Sequence, residues 1–472
     1  MKRLLSILLL FTMVIMPTYA DDQQEVKQTK NLILFITDGT SLATVSAARW
    51  LQWYTNPDKP KLCMDPYLCG TVRTHSSNAP IGDSAPTTSG FVSGQPSIAG
   101  YVSTYPMSMG DDDIYPNDPK RAFQPTMTLL EAAKMFKGAS TGLVFTCEFT
   151  QATPADCAAH SYDRSQYDWI SNQMVHNDLD VVIGGGVSIL TNEQEGYLKD
   201  NGYSVYRNNL NGMRNDTNNK MWALYDEKGM SYDLDRDPNE QPSIEEMTME
   251  AIERLSKNDK GFFLMVEGSK VDWAAHANDP VGMTTDFLAF DRAVGAALDF
   301  AKKNGETTII VTSDHGNSGF SIGKRECKGY GKLTKDQLFK NFSKFQLTAE
   351  GFANKINSAP FSEAENIFSK YSGGQKLTEE ELDALKNCKG YKNSPIPVEQ
   401  RKEKAGSSLY SSSLNGLMAK IITNRTCFGF TTGGHTGEEV FLASYHPKGT
   451  RPMEGRLVFN LPFFMPNFYL PY

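Results

Sequence analysis

The sequence places oxygen and nitrogen donors in small groups whose spacing suits a shared cation. Asp272 and His276 stand four residues apart, so on a helix they project from the same side. Asp314 and His315 are adjacent, and His435 lies in the glycine-lined run Thr431-Thr432-Gly433-Gly434-His435-Thr436-Gly437. An Asp–His pair of that spacing is common on ordinary helix surfaces. This one is singled out by its position, just after an apolar run that ends in Glu267. Carboxylates and imidazoles without thiolates suit zinc in a site that keeps positions for water or substrate. Two such ions about 3.5–4 Å apart clamp the entering and leaving oxygens of an in-line displacement, which predicts phosphoryl transfer.

A displacement needs a nucleophile. In Gly82-Asp83-Ser84-Ala85-Pro86-Thr87-Thr88 a serine precedes a proline suited to a first helical turn. Read alone, Ser84 is an N-cap. Beside a metal ion it becomes a hydroxyl that coordination can deprotonate, at a helix N-terminus that favours an anion.

These groups must be positioned by a scaffold, and three short continuous apolar runs supply it: Leu32–Ile36, Phe262–Val266 and Thr307–Val311. Continuous rather than alternating runs mark strands buried on both faces. Asp38 follows the first, Glu267 the second, and Asp314 with His315 the third; Val181-Val182-Ile183 runs into three glycines as a fourth. Helical patterns lie between them. Ser243 and Glu246 predict a capping box ahead of Met247, Ala251 and Leu255, and a stripe from Phe287 to Ala301 stops at Asn304-Gly305. The alternation predicts an α/β fold, a three-layer doubly wound and mostly parallel sheet with helices on both faces. Ligands in such sheets sit outside the carboxyl ends of the strands, so the acidic strand ends should converge. Between His315 and His435 the pattern gives way to a more polar stretch with a second capping box at Thr378 and Glu381, read as an insertion over the site.

The 472 residues, 40% hydrophobic and 22% charged, are enough for a large core, and the net charge of −8 argues against a nucleic-acid backbone as partner. Residues 1–20 read as an export signal: Lys2 and Arg3, an apolar run from Leu4 to Met16, and Thr18-Tyr19-Ala20 as a cleavage site. The run is shorter than the ~20 residues of a spanning helix, and no second one follows. A soluble mature protein starting near Asp21 is expected. Seven cysteines leave at least one unpaired within the chain, and none forms a C-x-x-C. His75, His160, His176 and His446 match no metal motif, and Asp111-Asp112-Asp113 reads as a solvated loop.

Six motifs together resemble the alkaline phosphatases, metal-dependent phosphomonoesterases: Ile36-Thr37-Asp38-Gly39, Asp83-Ser84-Ala85, Ala152-Thr153-Pro154-Ala155, Val266-Glu267-Gly268 with Asp272 and His276, Ser313-Asp314-His315, and Gly434-His435-Thr436-Gly437. They follow in the family's order, with Arg164 at its distance after Thr153. The resemblance implies that Asp272, His276 and His435 hold one zinc ion and that Asp38, Asp314 and His315 hold a second beside Ser84. Asp38, Thr153 and Glu267 would hold magnesium, and Arg164 would grip phosphate as a planar fork. It implies a phosphoserine intermediate, small-molecule phosphate monoesters as substrates and a homodimer. The leader implies a periplasmic or secreted location, and the resemblance a catalytic domain over 21–472 with a crown-like insertion within 316–434. Two positions depart from part of the family. Gln151 stands where relatives often carry Asp or His and Trp273 where some carry Lys, which predicts a looser magnesium site and weaker product binding. Two rivals stand beside this reading. One is a phosphodiesterase of the same architecture. The other is a non-catalytic exported protein that binds metal or phosphate, in which Ser84 would be dispensable. A sulfatase would need an arginine after Pro86 that this sequence lacks.

Overall fold

The computed structural model describes residues 29–402, 409 and 411–449. In chain order the elements that build the centre are β1 (Asn31–Thr37), α1 (Leu42–Thr55), β2 (Leu68–Val72), α2 (Ser84–Ser93), β3 (Ser140–Glu148), α3 (Ala152–Ala158), β4 (Val181–Gly185), β5 (Ser204–Arg207) and β6 (Met221–Leu224). They continue with α4 (Ile244–Leu255), β7 (Phe262–Gly268), α5 (Lys270–His276), α6 (Pro280–Asn304), β8 (Thr307–Ser313) and, after a long helical segment, β9 (Val440–Tyr445). The strands form one sheet in the order β2-β9-β8-β1-β7-β3-β4-β6-β5. β9 runs antiparallel to both of its neighbours, and the remaining pairs are parallel.

The apolar runs are continuous because helices cover both faces of the sheet. Leu32, Leu34 and Ile36 of β1 enter one core with residues of α2 and α3, while Ile33 and Phe35 enter another with α1, α4 and α6. Every residue of β1, β7 and β8 is buried. Their register sets the site: Ile36 lies opposite Glu267, and Thr37 opposite Gly268 and Ser313. Asp38, Glu267 and Asp314 therefore emerge at one edge of three adjacent strands.

Gly305 closes α6 in the left-handed region at φ 72°. The expected capping box of α4 is only half made. Ser243 accepts from the Glu246 amide at 3.1 Å, but the Glu246 carboxylate turns to Arg214 instead of back to the cap. An ion pair from elsewhere in the chain displaces the local bond. The Thr378–Glu381 box is complete.

The segment between β8 and β9 carries α7 (Ala349–Asn357), α8 (Ala364–Tyr371), α9 (Glu379–Asn387) and α10 (Leu414–Asn424). They gather a third core that packs on Ala274, Ala275, Val281 and Met283 of α5 and α6. A disulfide joins Cys327 to Cys427 across this segment. No helix among the described residues is long and apolar enough to cross a membrane. Residues 1–20, read from sequence as an export signal, lie outside the described residues.

Candidate active site

A cleft of about 270 Å³ at the carboxyl end of the sheet is lined by Asp38, Ser84, Gln151, Thr153, Arg164, Glu267, Asp272, Trp273, His276 and His435, along with Asp83 and Cys147. Asp314 and His315 are fully buried at its edge. His315 Nε2 lies 3.2 Å from Ser84 Oγ, 3.5 Å from Asp38 Oδ1 and 3.3 Å from Asp314 Oδ2. The twelve positions singled out in the sequence, drawn from residues 38 to 435, thus meet in one place.

Local structure explains each placement. After β1 the chain turns at Gly39, with φ +59°, where a Cβ would collide with the Asp272 side chain; its amide donates to Asp314 Oδ1 at 3.0 Å. Only glycine permits that approach. Ser84 is the first residue of α2, and Asp83 occupies the cap position before it, so the N-cap reading of Ser84 shifts by one residue. α5 forms directly after β7, and its pitch brings His276 Nε2 to 3.3 Å from Asp272 Oδ2. His435 is held by a short antiparallel pairing in which it lies opposite Asn317.

The imidazoles are oriented in a common way. His276 Nδ1 lies 2.8 Å from the Gly433 carbonyl, His435 Nδ1 2.9 Å from that of Gly82, and His315 Nδ1 3.1 Å from that of Gly316. A carbonyl only accepts, so each Nδ1 carries a proton and each Nε2 is aimed at the cluster, the orientation of metal-bound histidines. His276 Nε2 and His435 Nε2 face each other at 3.2 Å, a contact that a shared proton or a bound cation satisfies. Asp272, His276 and His435 bring donor atoms within 4.8 Å of one another, and so do Asp38, Asp272 and His315. Asp38 Oδ1, Asp314 Oδ2 and Thr153 Oγ1 are buried with no hydrogen-bond partner, a costly state for polar atoms unless a cation satisfies them.

The electrostatics point the same way. Burial, then the charges of Asp272, Asp314 and Glu267, push Asp38 well above the usual carboxylate range, and burial lifts Glu267 to about 8. The bond to Asp272 raises His276 to about 9. Burial alone would raise Asp272 as well, but His276, His315 and His435 hold it below its ordinary value. In the metal-free protein, protons occupy positions where divalent cations fit.

Arg164 Nη1 donates to Asp83 Oδ1 and Nη2 to Gln151 Oε1 at 3.0 Å, while Gln151 Nε2 donates to Glu148 Oε1 at 3.0 Å. Gln151 is thereby a brace for the guanidinium. Trp273 packs against Gly229, and the buried Lys270 ammonium stands 4.3 Å over its ring. Sequence reasoning missed three neighbours of the site. Asp83 anchors Arg164, and its position beside Ser84 was an available signal. Asn317 donates to Asp272 Oδ1 at 2.6 Å, two residues after His315. Cys147 lies 3.3 Å from Glu267 Oε2, and nothing in its sequence neighbourhood marked it. Outside the site, His160 bonds Glu131 and the Ser103 carbonyl, and Asp113 ties its own loop to Ser108 and Asn117.

A sheet whose parallel strand tips gather carboxylates and imidazoles around a serine has the architecture of a metal-dependent hydrolase. The family model described as alkaline phosphatase matches residues 29–456. Alkaline phosphatase 4 of Bacillus subtilis (strain 168) is 32% identical over 438 residues, which cover 90% of this chain and 85% of the relative. The crystal structure of a cold-active alkaline phosphatase from a psychrophilic Shewanella sp. superimposes with a TM-score of 0.77 at 25% identity, covering 94% of this chain and 100% of that one. Thermus thermophilus alkaline phosphatase shares the fold, with a TM-score of 0.78 at 20% identity over 95% of this chain and 93% of that one. The chain belongs to the alkaline phosphatase family.

Proposed function

We propose that this enzyme hydrolyses phosphate monoesters through a phosphoserine at Ser84, with two zinc ions and one magnesium ion as resident cofactors. Asp272, His276 and His435 would hold one zinc, Asp38, Asp314 and His315 the other, and Asp38, Thr153 and Glu267 the magnesium. The unpartnered oxygens of Asp38, Asp314 and Thr153 and the inward Nε2 atoms support that fit. When bound, the ions lower the serine and water pKa values and neutralise charge on the entering and leaving oxygens.

The chain's own groups do the rest. Ser84 Oγ gives its proton to solvent and forms a bond to phosphorus in line, while the ester oxygen departs with the electrons of the broken P–O bond and takes a proton from water to become the alcohol. Water then attacks from the vacated side, phosphate leaves, and Ser84 regains its proton. Amides at the start of α2 face the anion. Arg164 holds two non-bridging oxygens, with Asp83 and Gln151 fixing the plane of its fork. On this reading positioning and charge neutralisation carry the reaction, and little protein acid–base chemistry is required.

The observation that carries this reading is Ser84 Oγ at the first turn of α2, 3.2 Å from an imidazole nitrogen whose ring is already oriented by a carbonyl. Acid quench of the metal-loaded enzyme during turnover of a labelled monoester tests it. Label should appear on Ser84 and be absent from Ser84→Ala. Full activity in that variant would remove the covalent route. We further read residues 1–20 as an export leader, 21–472 as the catalytic domain with 316–434 as its elaboration, and a homodimer in the periplasm or outside the cell as the working form.

A further inference from the structure

A second cavity, of about 610 Å³, opens beside the cleft and takes no part in the chemistry above. Lys324, Arg325 and Lys420 line it together with Phe428 and Phe430, and Glu326 is the one acidic residue on its wall. Its lining adjoins that of the cleft along two chain segments. Asn278 and Thr431 line the cavity, while His276 and His435 line the cleft. Two peptide units separate Asn278 from His276, so their Cα atoms are at most about 7.6 Å apart. His276 also bonds Gly433 of the loop that carries Thr431.

We propose that this cavity is a subsite for the leaving group, selecting monoesters whose alcohol carries a ring and a second anionic group, as a nucleoside 3′,5′-bisphosphate does. The assignment rests on the phosphomonoesterase reading of the cleft. Charge argues for it: the cavity wall is cationic in a chain of net charge −8, whereas the cleft wall itself is acidic apart from Arg164 and the histidines. A second anion therefore finds its complement in the cavity. Lys324 is half-buried, with its ammonium on the Thr423 carbonyl at 3.0 Å, and an anion in the cavity would offset the cost of burying that charge. The size suits a ring with an appended acidic group, since pockets for small ligands run to about 300–1,000 Å³. Phe430 is half-buried on the cavity wall and packs on Phe320, as does the fully buried Phe428 behind it, so Phe430 offers the cavity an aromatic face.

The site is also braced. Ser321–Ile322 pairs antiparallel with Phe428–Gly429. The amides of Gly323 and Lys324 both donate to the Cys427 carbonyl at 2.8 Å, next to the Cys327–Cys427 bridge. The cationic strip and the aromatic strip are thereby fixed to each other before a ligand arrives, which reduces the ordering cost of binding.

The test compares adenosine 5′-monophosphate with adenosine 3′,5′-bisphosphate on the full-length, metal-loaded enzyme. Wild type is measured against Arg325→Ala, Arg325→Ala/Lys420→Ala and Arg325→Lys. Removing Arg325 and Lys420 together should raise KM for the bisphosphate about tenfold, leave its kcat unchanged, and change KM for the monophosphate less than twofold; Arg325→Lys should keep KM close to the wild-type value. Retained kcat on the monophosphate shows that the variants fold. Equal changes for both substrates, or none, would overturn the subsite while leaving the phosphomonoesterase reading intact. Hydrolysis of neither substrate by wild type would sink that reading instead. If the variants abolish only a non-competitive effect of inorganic phosphate, the cavity is an effector site and the leaving-group assignment fails.

Discussion

The cleft at the sheet edge and the cavity beside it are separated by little more than one loop, yet they are built by opposite means. The cleft takes its donors from strand tips and helix starts spread from Asp38 to His435, held by a parallel register that leaves no slack. The cavity takes its cations from a short strip at 324–325 and from α10, held by two two-residue strands and a disulfide. One arrangement fixes several atoms against each other, as bond-making requires. The other needs only charge and room. Chemistry and selection are thus separable in this molecule, and four experiments can break or sharpen that separation.

The largest effect should come from Asp272→Asn. Asp272 belongs to both donor groups, so the variant should lose at least one ion by elemental analysis and about 10³-fold or more in kcat/KM. Any residual turnover should keep the wild-type preference between substrates; a changed preference would mean that the two regions are not independent. Next is the disulfide. It closes a loop with a sequence separation of 100, for which chain entropy alone gives about 4.7 kcal/mol. Cys327→Ala/Cys427→Ala should lower Tm by several degrees while kcat on a small monoester is retained.

A smaller effect should appear in the proton balance of the cleft. Glu267 at about 8 is protonated at pH 7 in the metal-free protein, and a metal ligand must be a carboxylate. Loading the ions at pH 7 should release protons into a weak buffer, the release from Glu267 should vanish above pH 8, and apparent metal affinity should fall as pH drops. The smallest effect tests a region remote from both. Glu131 raises His160 despite burial, and His160 in turn lowers Glu131. The raised histidine stabilises fully below its unfolded value of about 6.5 and loses this as pH rises through its folded value. The lowered glutamate stabilises above about 4.3 and loses this as pH falls. His160→Gln should therefore cost about 1 kcal/mol between those limits and less on either side, by denaturant melts across pH, with metal content unchanged.

The parts legible in the sequence were those under the strongest physical constraint. Strands covered on both faces must be continuously apolar, so β1, β7 and β8 stood out, and with them Asp38, Glu267 and Asp314. β2, with its two exposed central positions, and the four half-buried residues of β5 carry no such signal and went unread. The half-made box at Ser243 failed for a different reason. Its rule is local, whereas Glu246 answers to Arg214, which is 32 residues away. Asn317 and the bracing role of Gln151 were invisible because a hydrogen bond to another functional side chain exists only after folding, whereas Asp83 was marked only by its place beside Ser84. The second cavity was unreadable on the same ground, since Arg325 and Lys420 look like any solvated cations until the chain brings them to one wall.

The bond between Cys327 and Cys427 also makes a closed covalent ring of the stretch that contains α7 to α10. A single protease cut anywhere inside that ring cannot separate the polypeptide into two molecules. The clipped protein should run at full mass on a non-reducing gel, fall into two pieces once thiol is added, and until then keep His435 tethered to the half that carries Ser84.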